Sequence, residues 1–359
     1  IRNRYIENCA FTGKTSGIAK TDSRIICGRS PPKTVVHIRI NLTGCCHDWD
    51  VMLMASGHAG GEAAMKEIPA KTLLSANRNP GAWFDARYTL NIYRGCCHGC
   101  IYCDSRSDCY RVENFDEVAV KKDVLALLEQ ELRRRRTRGI IGMGAMSDPY
   151  NPFEAEKRLT RGSLKLMDRY GFGVHLVTKS PLVTRDADVL KAIQEHDPVN
   201  IAMTITASSD DLARKIEPGA PTSSQRFRAV AGLAAEGLVA GILLMPVLPF
   251  ITDDERNILA IVERAADSGA AYVYPFFGVT LRSGQREYFY RALDRLFPGL
   301  REKYACSYGM KYSCWSEHSR RLREVFREAC EKKGLLCTMA DIIQLSRSKV
   351  VQKQQTLFG

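Results

Sequence analysis

The stretch Asn91-Ile92-Tyr93-Arg94-Gly95-Cys96-Cys97-His98-Gly99-Cys100-Ile101-Tyr102-Cys103 decides how the chain is read. Cys96, Cys100 and Cys103 stand in a C-x3-C-x2-C spacing directly after an apolar, β-rich run. Three thiolates on one tight loop can hold three irons of a cubane iron–sulfur cluster and leave the fourth iron without a protein ligand. An electron-transfer centre would be closed by a fourth cysteine. Gly95 and Gly99 let the backbone wrap closely around such a body. Zinc is the competing occupant, and His98, Cys97 or Cys109 would then complete four ligands. Zinc knuckles usually come in Cys-x2-Cys pairs, and this segment has only one. Cys97 reads as a bystander.

Outward from the loop, short apolar segments alternate with helical patterns. Strands are expected at 89–93, 139–144, 174–178, 200–206, 240–247 and 272–279. Helices are expected at 118–136, 159–170, 186–194, 223–236 and 253–268. Strands buried on both faces read as such continuous apolar runs. The six β-then-α steps predict an α/β fold, a partial (β/α)6 TIM-type barrel with right-handed crossovers. After Arg282 the chain reads as mostly helical (287–296, 317–333 and 339–345), an extension that caps the barrel. Residues 346–355 are polar and are expected to fray. The expected domains are 65–286 for the barrel and 287–359 for the helical cap and tail. Residues 1–64 have no sustained period. Cys9, Cys27, Cys45 and Cys46 lie there without a ligand pattern, and this stretch is expected to be an irregular extension or not native coding sequence.

Composition narrows the class. The chain has 359 residues and a net charge of +12, compatible with nucleic acid but equally with a solvated basic surface. The Arg133 to Arg136 run suits a helix C-terminus and needs no ligand. Thirteen cysteines, an odd count, with four inside one short loop, point to metal ligation in a reducing compartment, hence the cytoplasm. The longest apolar run, 238–250, is too short for a membrane span and carries two prolines, and no membrane partner is expected.

The cysteine loop resembles that of the radical S-adenosylmethionine superfamily. More narrowly, the chain resembles the spore photoproduct lyase-like branch over roughly residues 65–345. The branch signals are Asn-x-Tyr-Arg-Gly-Cys, Ser147-Asp148-Pro149-Tyr150, Thr178-Lys179 with Arg185-Asp186, and Glu217-Pro218-Gly219. The resemblance implies an enzyme that cleaves S-adenosylmethionine reductively at a 4Fe–4S cluster held by Cys96, Cys100 and Cys103. The 5′-deoxyadenosyl radical so formed would act on damaged or modified nucleic acid. The resemblance implies cofactor contacts at Tyr102, Gly142, Gly144, Ser147, Lys179 and Thr204. It also implies a one-electron donor of the flavodoxin or ferredoxin type. Asp148 and Glu154 would orient substrate or cap the helix beginning near Leu159.

Two departures separate the chain from the lyase of that branch. Ala145 stands where a hydrogen-donating thiol is needed, and Asp104 stands where a tyrosine follows the last cluster cysteine. Tyr102, Cys109 and Cys314 are the hydrogen-transfer candidates, with Tyr110 beside them. Cys306, Cys314, Cys330 and Cys337 lack the tight spacing of an auxiliary cluster. The stretch Gln354 to Phe358, with Gln355, Leu357 and Phe358, resembles the peptide by which repair proteins dock on a sliding clamp. The alternatives are radical modification of a peptide, protein or small metabolite, and a non-enzymatic metal-stabilised binding module.

Overall fold

The computed structural model describes residues 65–356, with side chains to Val350. The expected extension 1–64 and its cysteines lie outside the described residues, as do Leu357, Phe358 and Gly359.

Seven strands form one sheet in chain order: β1 (Leu74–Ala76), β2 (Ala86–Leu90), β3 (Ile140–Met143), β4 (Val174–Thr178), β5 (Val199–Thr204), β6 (Ala240–Leu244) and β7 (Val273–Pro275). The six from β2 to β7 are parallel, and β1 runs antiparallel along the edge of β2. The helices of the crossovers are α1 (Val124–Arg134), α2 (Leu159–Tyr170), α3 (Ala187–Gln194), α4 (Ser223–Ala235) and α5 (Glu255–Asp267). A partial barrel of six parallel strands is the expected architecture, and this is what the chain adopts.

Strand alternation sorts the two faces. Val174, Leu176, Ile201, Met203, Ala240, Ile242 and Leu244 belong to the large core under the helices. The intervening Val177, Ala202 and Leu243 line the inner face. The C-terminal mouth is the end where parallel barrels place their sites. The opposite end is filled. Phe84 stacks on His175 with ring centroids 3.9 Å apart, and Tyr272 and Ile342 pack into the same cluster.

After β7 the chain adds α6 (Gln285–Leu296), α7 (Leu300–Tyr308), α8 (Ser319–Lys333) and α9 (Met339–Thr356). The polar stretch 346–355 is not frayed: α9 runs through it to Thr356. Ser346 is buried, and its hydroxyl accepts from Asn200 Nδ2 at 3.2 Å. Leu336, just before α9, accepts from Val273 N at 2.9 Å and so covers the open edge of β7. An uncovered edge would invite pairing with another chain.

Three boundaries differ from expectation. The helix expected from 118 starts only at Val124, because Ala119–Lys121 pairs as a strand with Glu67–Ile68 and Tyr93–Arg94. The first strand ends at Leu90, and Tyr93–Arg94 belongs to that second small sheet. The run 272–279 breaks at Pro275, which cannot donate to a ladder, and resumes as Gly278–Thr280 in a ribbon with Ser313–Trp315. Among the described residues no helix is long and apolar enough to cross a membrane.

Candidate active site

The cysteine loop leaves β2 and is gripped from two sides. Gly95 has φ +81°, and a Cβ there would sit 2.4 Å from the Glu117 carbonyl oxygen. Cys96 N donates to Phe115 O at 2.7 Å. On the other side, Ile101 N donates to Ile216 O at 3.0 Å and Gly219 N donates to His98 O at 2.9 Å. A Cβ on Gly219 would meet Cys97 O at 2.3 Å, which is why glycine closes the Glu217-Pro218-Gly219 segment. These backbone contacts from two sides set the shape of the loop.

Within the loop, Cys96, Cys97, Cys100 and Cys103 are free thiols. Burial, followed by the charge of Cys100, pushes the Cys96 thiol far up. Burial pushes Cys100 to about 12, against the opposing pull of Lys179. Cys97 packs instead against the core beneath the helices. Without a cation-rich partner these buried sulfurs stay protonated, whereas an iron–sulfur body supplies the positive charge that makes them thiolates. Among the described residues no group of three His, Cys, Asp or Glu side chains can hold a metal ion. The three thiols stand on one loop with the Lys179 ammonium directed at it, and thiolates are the ligands that iron–sulfur bodies take. That fits a cluster carried on three of its corners.

Lys179, at the end of β4, points its ammonium toward this loop, 5.8 Å from the Tyr102 ring centroid. Burial opposes its charge, but the nearby Cys100 and Glu217 raise its pKa above the usual lysine value. No hydrogen bond or ion pair engages its Nζ among the described residues. A cation left without a carboxylate beside buried thiols is a binding point for an anionic group.

Behind it lies a buried polar network. Tyr102 Oη donates to Glu217 Oε1. Arg226 Nη2 lies 2.5 Å from Glu217 Oε2, with both side chains at or below 1% exposure. Arg226 also donates to Thr204 O at 2.9 Å and Pro221 O at 2.8 Å. Burial pushes the Glu217 carboxyl up, but Arg226 and Lys179 hold it below its usual range.

The mouth of β3 supplies the next wall. Gly144 has φ +97°, and a Cβ would fall 2.0 Å from Val177 O. Gly142 faces Ala86, with 3.2 Å left for a Cβ. Ser147 Oγ donates to Gly95 O at 2.5 Å, tying this loop to the cysteine loop. Asp148 Oδ1 accepts from Tyr150 N at 2.8 Å and Thr178 Oγ1 at 2.6 Å, while Oδ2 accepts from Lys179 N at 2.8 Å. Glu154 Oε1 accepts from Thr160 N at 2.8 Å, in the first turn of α2, and pairs with Tyr93. Glu154 thus bonds to the first turn of α2, whereas Asp148 bonds to its own turn and to the end of β4 rather than to that helix.

The hydrogen-transfer candidates separate. Tyr102 lies in the network just described. Cys109 is exposed on the turn after the loop, with Arg282 Nη1 3.4 Å from its sulfur. Tyr110 Oη donates to Asp104 Oδ2 at 3.2 Å. Cys314 is fully buried, its thiol 3.7 Å from Lys311 O. Cys330 is buried in α8, Cys337 is half-buried against the same core, and Cys306 is exposed. Sequence reasoning missed Arg226, although it shares the buried stripe of Ala229, Val230 and Leu233 on α4, where a charge demands a partner.

Comparison with known proteins finds relatives in sequence and in fold. The Radical SAM superfamily is matched over residues 90–262. An uncharacterized protein of Mycobacterium tuberculosis is 32% identical over 245 residues, covering 66% of this chain and 72% of that one. An uncharacterized protein of Methanocaldococcus jannaschii is 31% identical over 194 residues, covering 54% and 71%. Among solved structures, spore photoproduct lyase complexed with dinucleoside spore photoproduct aligns at TM-score 0.54 and 16% identity, over 74% of this chain and 78% of that one. That likeness is one of fold.

Proposed function

We propose, from the premise that this chain belongs to the radical SAM superfamily and is an enzyme of that type, that it acts on damaged or modified nucleic acid. Enzymes of this superfamily use a 4Fe–4S cluster and S-adenosylmethionine, and they require a reductant. When bound, that pair supplies a carbon-centred radical that removes a hydrogen atom from substrate.

In this reading Cys96, Cys100 and Cys103 hold the cluster. Lys179 holds the carboxylate of S-adenosylmethionine, and Thr204, Ser147, Gly142, Gly144 and Tyr102 line its other sides. Glu217 and Arg226 act through Tyr102 and Lys179, holding one ring and one ammonium in place. The residues of 65–286 carry the chemistry, and 287–359 closes the barrel. The reductant is a flavodoxin- or ferredoxin-type protein in a reducing cytoplasm. The observation that carries the reading is an unpaired, half-buried ammonium beside three thiols on one clamped loop, Cys100 buried and Cys96 and Cys103 half-buried.

Support for a nucleic-acid substrate comes from the net charge of +12 and the order of the branch motifs. Ala145 and Asp104 set the reaction outcome apart from that of the lyase. Of the two donor thiols considered, Cys109 is the exposed one. A sliding clamp reached through Gln354 to Phe358 would bring the enzyme to DNA.

The test is anaerobic reconstitution followed by measurement of 5′-deoxyadenosine with and without lesion-bearing oligonucleotides. Product should rise severalfold with nucleic acid and vanish in Cys100→Ala. Product retained in that variant would overturn the cluster assignment. Product unaffected by nucleic acid but raised by peptide would move the substrate to the alternative class.

A further inference from the structure

The ribbon beyond β7, Gly278–Thr280 paired antiparallel with Ser313–Trp315, stands at the barrel mouth. It is joined to the cysteine loop: Thr280 Oγ1 donates to Asp104 Oδ1 at 3.3 Å, and Asp104 follows Cys103. Trp315 packs one side on Phe276, with ring centroids 4.8 Å apart, and large side chains at and just before the second strand stay part-exposed. Trp315 is 42% exposed, Tyr312 41% and Met310 83%. Gly278 lies opposite Trp315, and a Cβ there would come within 3.1 Å of Trp315 Cα.

Each aromatic ring carries a cation. The Arg323 guanidinium lies 5.4 Å from the Trp315 centroid, and Arg282 lies 5.0 Å from that of Tyr312. Arg282 also donates to Tyr312 Oη at 3.0 Å and shares Asp104 at 3.3 Å. Arg323 and Lys311 form no ion pair with a carboxylate among the described residues. Part-exposed rings beside two cations without a carboxylate, Arg323 and Lys311, match a ligand that presents flat π-faces strung along anionic groups.

We infer that this ribbon is a stacking platform for unpaired nucleobases, with Arg323 and Lys311 taking the adjoining phosphates. It would hold a single-stranded segment beside the mouth so that one nucleotide can enter. The inference rests on the nucleic-acid reading above and assigns it a surface.

The test titrates the intact, cluster-loaded chain with a short single-stranded thymidine oligonucleotide, following tryptophan emission. An abasic oligonucleotide of equal length and an acidic peptide serve as competitors. The oligonucleotide should quench emission, and Trp315→Phe should remove that quenching. Trp315→Ala should weaken binding about tenfold, the loss expected of one stacked base. Lys311→Gln and Arg323→Gln should each lower the salt dependence by about one phosphate. The abasic strand should bind weakly and quench nothing. If the wild-type chain binds the oligonucleotide and every variant binds within twofold of it, the platform is refuted while the nucleic-acid reading stands. If the wild-type chain binds no oligonucleotide, or prefers the acidic peptide, both fall. Unchanged iron content in each variant guards against misfolding as the cause.

Discussion

His98 on the cysteine loop stands 3.6 Å from the Asp148 carboxylate, so the loop after β2 and the loop after β3 meet on one acid. The same carboxylate receives the amide of Lys179 and the hydroxyl of Thr178 from the end of β4. One buried side chain therefore registers three strand ends around the mouth. Asp148→Asn must turn an amide donor toward one of these donors and leave it unsatisfied. A hydrogen bond to a charged group is worth about 1.5–3 kcal/mol, so unfolding in urea should show a loss of about 2–3 kcal/mol. A loss below about 0.5 kcal/mol would mean that the strand ends are set by packing alone.

Lys179 separates cofactor binding from cluster binding. Its ammonium touches no carboxylate, yet Cys100 and Glu217 keep it charged. Lys179→Met keeps the length of the stem and removes the charge. Affinity for S-adenosylmethionine should fall tenfold or more, about 1.4 kcal/mol or above. Iron content and the visible absorbance of the cluster should stay at wild-type levels. Equal affinity, measured by equilibrium dialysis under anaerobic conditions, would remove Lys179 from the site.

How far the sequence reveals this site depends on what each signal reports. α2 is legible from end to end, because its apolar period runs from Leu159 and stops where Gly171 takes φ +66°. β4 is legible because Val174–Thr178 is a short β-branched run between helices. α9 is legible only over 339–345: its polar continuation includes Ser346, which looks like solvent-facing chain until the barrel end offers Asn200. Arg226 is hidden for the same reason, since its partner Glu217 sits on another element and only the fold brings them together. Spacing marks Cys96, Cys100 and Cys103, whereas the surfaces gripping their loop arrive from 115–117 and 216–219, far along the chain.

The Glu217–Arg226 pair predicts that removing one partner costs more than removing both. Both groups are buried, and each neutralises the other. Glu217→Gln leaves a guanidinium uncompensated in the interior, and breaking such a pair costs about 3–5 kcal/mol. The double variant Glu217→Gln with Arg226→Met removes the stranded charge and should recover part of that loss. A double-mutant cycle from urea unfolding gives the coupling. A coupling near zero would show that Tyr102, Pro221 and Thr204, rather than the ion pair, hold these side chains.

His175 should make the barrel acid-sensitive. Its Nδ1 lies 3.2 Å from Asn200 Oδ1, which also accepts from Tyr272 Oη at 2.7 Å, so Nδ1 carries the proton and the ring is neutral. Burial pushes its pKa down from 6.5 to about 3, against the hydrogen bond to Asn200. The unfolded chain then takes up a proton at a higher pH than the folded one. The stabilisation is full above the unfolded value of 6.5 and drains away as pH falls toward 3. Linkage at one such site gives about 2 kcal/mol of lost stability between pH 7 and pH 5. His175→Gln has no proton to gain. It should be less stable at pH 7, through loss of the Phe84 stack, yet its further decline from pH 7 to pH 5 should be about 2 kcal/mol smaller than that of the wild type. Parallel declines in the two proteins, measured by urea unfolding at both pH values, would place the acid sensitivity elsewhere.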